Sequence, residues 1–231
     1  MSLCRFFFGR RKAFPGGNDA YTKLLLHMDG ADASTTFTDD SAAAHAVTVY
    51  GNAQIDTAYQ KFGSGAGLLD GTGDYLTVGD HADFDLSGGV WTIDFWMRAT
   101  GAGIIYYHQT DANNMFYVSL EATERIFLTI ASAGSAVVLV GSTALDYNTW
   151  YHIAIVENGN NYYVFVNGSL SGSLTDTDRP ADYTGASVYI GSNATPGSYF
   201  TGHLDEFRIS KGVARWTSAF TPSAAAYNKV S

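Results

Sequence analysis

Cysteine is almost absent: Cys4 stands alone, so no disulfide can form within the chain and the fold must rest on its core. Proline is scarce, with 4 residues, and charged side chains make up only 15%, too few for a disordered polymer. No apolar run reaches the roughly 18 residues of a membrane-spanning helix, so no membrane partner is expected. Beyond residue 20, nine basic side chains face 21 acidic ones, a net charge of −12 that repels phosphate backbones and excludes nucleic acid as a partner of this part. No repeat with a period of roughly 20–50 residues is visible, which argues against a solenoid or a propeller. No export signal is expected either. Phe6-Phe7-Phe8 is too short an apolar stretch, and Arg10-Arg11-Lys12 stands where a cleavage site belongs.

What is present is apolar and rich in turns: 46% hydrophobic residues, 14% aromatic, and 25 glycines. Residues 1–20 form a basic arm in which Arg5, Arg10, Arg11 and Lys12 oppose Asp19. The hinge Pro15-Gly16-Gly17-Asn18-Asp19 joins it to a body, residues 21–231. An exposed patch of Phe6, Phe7 and Phe8 is unfavourable in water. The arm is therefore expected to dock on another protein or a sister subunit, burying the three rings and pairing Arg10, Arg11 and Lys12. The alternative is a disordered terminus.

The body reads as strands throughout. Short apolar or β-branched runs alternate with turn residues at the spacing of an all-β sandwich or barrel. Examples are Lys23–Met28, Val47–Tyr50, Tyr75–Val78, Ile104–His108, Met115–Leu120, Arg125–Ala131 and Val137–Val140. Trp150–Glu157 and Asn161–Val166 form a hairpin through Asn158-Gly159-Asn160, and Asn167-Gly168 is a second turn. Val188–Ile190 and His203–Ile209 follow, and a helical turn is expected at Lys211–Trp216 with Val213 and Trp216 packed inward. In Trp91–Arg98, alternation puts Trp91, Ile93, Phe95 and Met97 on a core face and Thr92, Asp94, Trp96 and Arg98 on the other.

Four stretches carry a resemblance: Leu24–Gly30, Lys61–Gly67, Leu69–Val78 running on to Trp91–Arg98, and Gly202–Ile209. They resemble the laminin-G-like jelly-roll group of the concanavalin A-like lectin/glucanase superfamily. The resemblance implies an all-β, two-sheet antiparallel sandwich in which the terminal strands become neighbours. The segments PGGNDAYTKLLLHMDG, TTFTDDS, DGTGDYL and GVARWTSAFTP further resemble the version of this domain found in bacteriophage virion proteins, where it decorates capsids or ends fibres.

The resemblance also frames the candidate sites. Retaining glycosidases of the superfamily carry an E-x-D-x-E strand, and none of Glu121, Glu124, Glu157 and Glu206 begins that pattern. Asp205 and Glu206 are adjacent, so alternation puts them on opposite faces of a strand, unable to flank one glycosidic bond. A structural calcium is implied at Asp29 and Asp205, brought together by pairing of the terminal strands, with Asp32, Asp39 and Asp40 nearby. The six histidines, His27, His45, His81, His108, His152 and His203, show no close zinc spacing. For a sugar, whose apolar face stacks on aromatic rings, the candidates are Trp96, Tyr106, Tyr117 and Tyr163, with Asp94, Arg98 and Asn114 as polar partners; the alternative is that these rings belong to the core or cover a sheet face or a subunit interface. The expectation is a non-enzymatic, homo-oligomeric virion protein made in the host cytoplasm, anchored through the arm and touching host glycans. The alternatives are a free-standing carbohydrate-binding module and a glycoside hydrolase.

Overall fold

The computed structural model of the chain describes residues 17–177 and 180–228. Phe6, Phe7, Phe8, Arg10, Arg11 and Lys12 lie outside the described residues. In chain order the strands are β1 (Thr22–Leu26), β2 (Val47–Tyr50), β3 (Gln54–Asp56), β4 (Ala66–Asp70), β5 (Tyr75–Val78), β6 (Val90–Gly101), β7 (Gly103–Asp111) and β8 (Asn114–Leu120). They continue with β9 (Ile126–Ser132), β10 (Ser135–Val140), β11 (Tyr151–Asn158), β12 (Asn161–Val166), β13 (Ser169–Thr175), β14 (Val188–Ile190) and β15 (Thr201–Lys211). A 3-10 turn at Ala82–Phe84 is the one helical element among the described residues.

The strands pair antiparallel into two sheets. The first runs β13-β12-β11-β6-β15-β4-β3, with β1 also on β15; the second runs β10-β9-β8-β7-β14-β5-β2. The two stack as a sandwich, the all-β architecture expected. Trp91, Ile93, Phe95 and Met97 all enter the core between the sheets, where Phe95 stacks on Phe207 at 5.4 Å. Asn167 and Gly168 both have positive φ, 47° and 76°, as a two-residue hairpin turn requires.

The terminal strands are neighbours. One edge of β15 is shared end to end: Thr201–Leu204 pairs with β4, and Phe207–Ser210 pairs with β1. At the changeover the register against β6 slips between Asp205 and Arg208, and Glu206 sits at φ 50°. Leu204 and Phe207 both face the core, so the two residues between them turn to the outer face together. This corrects the expectation that Asp205 and Glu206 point opposite ways.

Three strands escaped the sequence pattern. β3 has three residues, β4 is broken up by Gly67, and β13 (SLSGSLT) is an edge strand with little apolar content. A Cβ on Gly67 would lie 3.0 Å from the Met28 sulfur, so close packing explains that glycine. No helical turn forms at 211–216. Val213 is half-buried, while Trp216 does pack inward, on a second small cluster of Ala154, Val156 and Phe165. Trp216 stacks on Phe220 at 4.0 Å. Residues 212–228 thereby form a strap over the outer face of the first sheet, and β6, β11 and β15 are buried on both faces.

Candidate functional site

Under the strap lies a buried polar layer. Asp94 is fully buried and takes two parallel hydrogen bonds from Arg208, at 2.9 and 3.0 Å. The Tyr227 hydroxyl donates to Asp94 at 2.5 Å, and His152 Nε2 stands 3.5 Å away. Burial opposes the Asp94 charge, but the Arg208 guanidinium outweighs it and holds the carboxyl well below the usual range. Arg208 also lies 3.9 Å over the Tyr227 ring and donates to the Gly17 carbonyl at 3.0 Å. Glu206 continues the layer, its oxygens meeting His27 Nδ1 and the Tyr227 N–H, both at 2.6 Å.

Asp205 has a different task. Its Oδ2 accepts from the Lys61 and Phe62 backbone N–H groups at 2.8 and 2.9 Å, fixing the 61–62 segment against the sheet. Oδ1 is buried without a hydrogen-bond partner. Burial, aided by the charge of Glu206, pushes its carboxyl up to about 7 despite those two N–H donors.

The segment that Asp205 holds forms one wall of a cleft. Its volume is about 460 Å³, and Lys61, Phe62, Trp96, Trp150 and Asn167 line it together with the strap at Pro222–Ala224. Phe62 meets Trp96 edge to face at 5.6 Å, and the Lys61 ammonium sits 4.0 Å over the Trp96 ring. Trp150, Phe62 and Lys61 are half-buried and Asn167 is exposed. The Trp96 indole N–H is buried with no hydrogen-bond partner. A concave site with aromatic walls, an ammonium and an amide can hold a polar, hydroxyl-bearing ligand with one apolar face.

The sequence candidates do not assemble into one site. Trp96 is in the cleft. Asp94 is spent inside the polar layer, which removes it from any ligand's reach. Arg98 stacks over the Tyr59 ring at 4.3 Å. Tyr106 lies wholly between the sheets, because the β7 register slips between Ile104 and Tyr106 and both Ile105 and Tyr106 enter the core. Asn114 braces a hairpin by bonding Asp111 and the Ala133 N–H. Tyr117 is on the outer face of the second sheet, stacked on Tyr107 at 5.7 Å beside a hollow of about 390 Å³. That face also carries the stacked pair Tyr50 and Tyr75, 4.4 Å apart. The residues missed were Lys61, Phe62, Trp150 and Asn167, which come from three separate segments and had registered only as fold or turn signals.

The calcium candidates also part. Asp29 Oδ1 accepts from the Ser64 N–H and hydroxyl, while Asp205 holds residues 61 and 62. Asp29 shares a hollow of about 100 Å³ with His27, Met28, Thr38 and Asp40. Two carboxylates with backbone and hydroxyl oxygens beside them are hard donors of the kind calcium takes. Asp29 and Asp40 both line this hollow, and Asp205 does not.

Residues 70–218 match the family model Laminin_G_3, described as concanavalin A-like lectin/glucanases superfamily. Among solved structures the chain is similar to the binding domain of Paraclostridial Mosquitocidal Protein 1, with 17% identity and a TM-score of 0.65 over 84% of this chain and 49% of that one. It is similar to domain 4 of AbnA, a GH43 extracellular arabinanase from Geobacillus stearothermophilus solved with arabinotriose, with 19% identity and a TM-score of 0.63 over 84% and 93%. The binding domain of Botulinum Neurotoxin DC, in complex with SialylT, matches with 15% identity and a TM-score of 0.63 over 85% and 49%. The chain thus spans about half the length of the two toxin domains. No curated protein matches it. At these identities the likeness establishes the fold alone.

Proposed function

As the chain belongs to the concanavalin A-like lectin/glucanases superfamily, we propose that it is a non-enzymatic, glycan-binding display domain of a bacteriophage virion, with the sugar received in the cleft beside Trp96. The observation that carries this reading is the cleft itself. Trp150 and Phe62 offer apolar surface to a pyranose face, while Lys61 and Asn167 offer partners to its hydroxyls. The volume of about 460 Å³ suits one or two sugar rings. The structures of AbnA domain 4 with arabinotriose and of the neurotoxin domain with SialylT support the ligand class by analogy of fold.

A binding role is favoured over hydrolysis by where the carboxylates lie. Asp94 and Glu206 are spent on the buried layer, and Asp205 stands behind the wall of the cleft, fully buried. The virion setting is supported by the sequence resemblance and by the basic arm, which anchors the domain to the particle or to sister subunits. Calcium enters this reading as a structural ion at Asp29, with Asp40 beside it.

The test is binding of the full chain to a panel of immobilised oligosaccharides. Trp150→Ala is expected to lose at least about tenfold in affinity, and Tyr117→Ala to keep it. Loss in Tyr117→Ala alone would move the site to the second sheet, and silence across the panel would remove the glycan reading. Deleting residues 1–16, which keeps Gly17 and Asp19 on Arg208 and Arg215, is expected to lower the oligomeric state; an unchanged state favours a free-standing carbohydrate-binding module.

A further inference from the structure

The 3-10 turn at Ala82–Phe84 collects groups outside the cleft. His81 precedes the turn, Asp83 is within it, and the loop before β2 brings His45 to the same spot. Among the described residues, His45, His81 and Asp83 are the one trio of metal-type side chains whose ligand atoms all lie within 4.8 Å of one another.

The geometry points to a site for a divalent transition-metal ion of the zinc kind, held by His45, His81 and Asp83. His45 Nε2 lies 3.2 Å and His81 Nδ1 3.3 Å from one oxygen, Oδ2 of Asp83. With metal–ligand bonds near 2.0–2.1 Å, the edge of a tetrahedral site is roughly 3.3 Å. Two of the three edges are therefore already set. The imidazoles lie edge to face, centroids 4.7 Å apart.

A second observation concerns lone pairs. The Asp83 backbone N–H donates to His81 Nδ1 at 3.2 Å, which fixes that nitrogen as an acceptor. The same nitrogen stands 3.3 Å from the Asp83 carboxylate, itself acceptor-only. An imidazole nitrogen has one lone pair, so an ion held at Nδ1 would take the place of the Asp83 N–H there. The Asp83 carboxylate is divided to suit: Oδ1 lies 3.6 Å from the Lys23 ammonium, and Oδ2 is left to the imidazoles.

The ligands stand on a fixed frame. The His45 backbone N–H is held by Asp39 at 2.8 Å, and its ring rests 4.8 Å from that of the buried Phe84. Lys211 donates to the Ala82 carbonyl at 2.7 Å, tying the turn to the end of β15. Two imidazoles and one carboxylate make a mixed nitrogen–oxygen set that prefers zinc, copper or nickel to calcium. This separates the site from the hollow at Asp29. His81 is exposed, so a fourth position is open to water or to a ligand from another molecule.

The experiment is titration of the chelator-washed full chain with Zn²⁺ by calorimetry and with Co²⁺ by visible absorption. One ion per chain is expected, with the intense visible bands of tetrahedral Co²⁺. His45→Ala and His81→Asn should each weaken binding at least about tenfold. Asn keeps a cap for the turn, so the fold is retained, which an unchanged metal-free melting curve would verify. Asp29→Ala should bind as wild type. Absence of one-to-one binding below about millimolar Zn²⁺, or binding indifferent to both histidine substitutions, would overturn the site.

Discussion

Replacing Arg208 with Met tests the buried layer most severely. Arg208 and Asp94 are both fully buried and joined by two charge-assisted bonds of 2.9 and 3.0 Å. Removing the cation leaves a carboxylate in a low-dielectric site with only Tyr227 and His152 beside it, a loss of about 3–5 kcal/mol. The contact with the Tyr227 ring, 3.9 Å from the guanidinium, goes with it. Against a total stability of about 5–15 kcal/mol, Arg208→Met stands near the edge of folding. Urea unfolding at pH 7, followed by tryptophan fluorescence, reads the loss. Asp94→Ala with Arg208→Met should cost less than the sum of the two single changes by about 2–3 kcal/mol, because the second removal relieves the orphaned charge. The Asp94 carboxyl is depressed in the folded state, so the pair's contribution is full above about pH 4 and fades as pH falls toward the folded-state value. A cost under about 1 kcal/mol for Arg208→Met, or additive single costs, would refute this account of the layer.

Asp205 has the opposite sign. Its carboxyl is raised to about 7, so the native state holds the proton more tightly, and stability should decline as pH rises from about 4 to about 7. Asp205→Asn should flatten that slope in melting curves; an unchanged slope refutes the assignment. Adding calcium to the chelator-washed, dialysed chain should raise the melting temperature of the wild type and leave Asp29→Ala unmoved, and identical curves with and without calcium would retire the structural ion. Trp216→Ala should cost about 3 kcal/mol in urea unfolding by emptying the contact between strap and sheet, and a cost under about 1 kcal/mol would show that the strap is loosely held.

Much of the fold was legible because period-2 alternation is a local property. The β6 face of Trp91, Ile93, Phe95 and Met97, and the turn at Asn167-Gly168, could be read from a few residues each. The misplacements share one cause. At Ile105–Tyr106 and at Asp205–Glu206 the register slips, and the extra residue reverses the inward–outward count without any mark in composition. Asp94 looked available because alternation puts it outside the core, which is correct; that residues 212–228 then cover it is a long-range event. The cleft is likewise non-local. Lys61 and Phe62 are positioned by Asp205, 144 and 143 residues away, so no motif announces them.

The most direct measurement of the central claim uses the 4 tryptophans as internal reporters. In a ¹H–¹⁵N spectrum each indole N–H gives one signal, and a glycan from the binding panel is titrated into the labelled full chain. Trp91 is in the core and Trp216, on the strap, packs against the sheet, whereas Trp96 and Trp150 line the cleft. The account predicts that the Trp96 and Trp150 signals move together with the binding isotherm while those of Trp91 and Trp216 stay. A bound glycan that leaves Trp96 and Trp150 unmoved would contradict it.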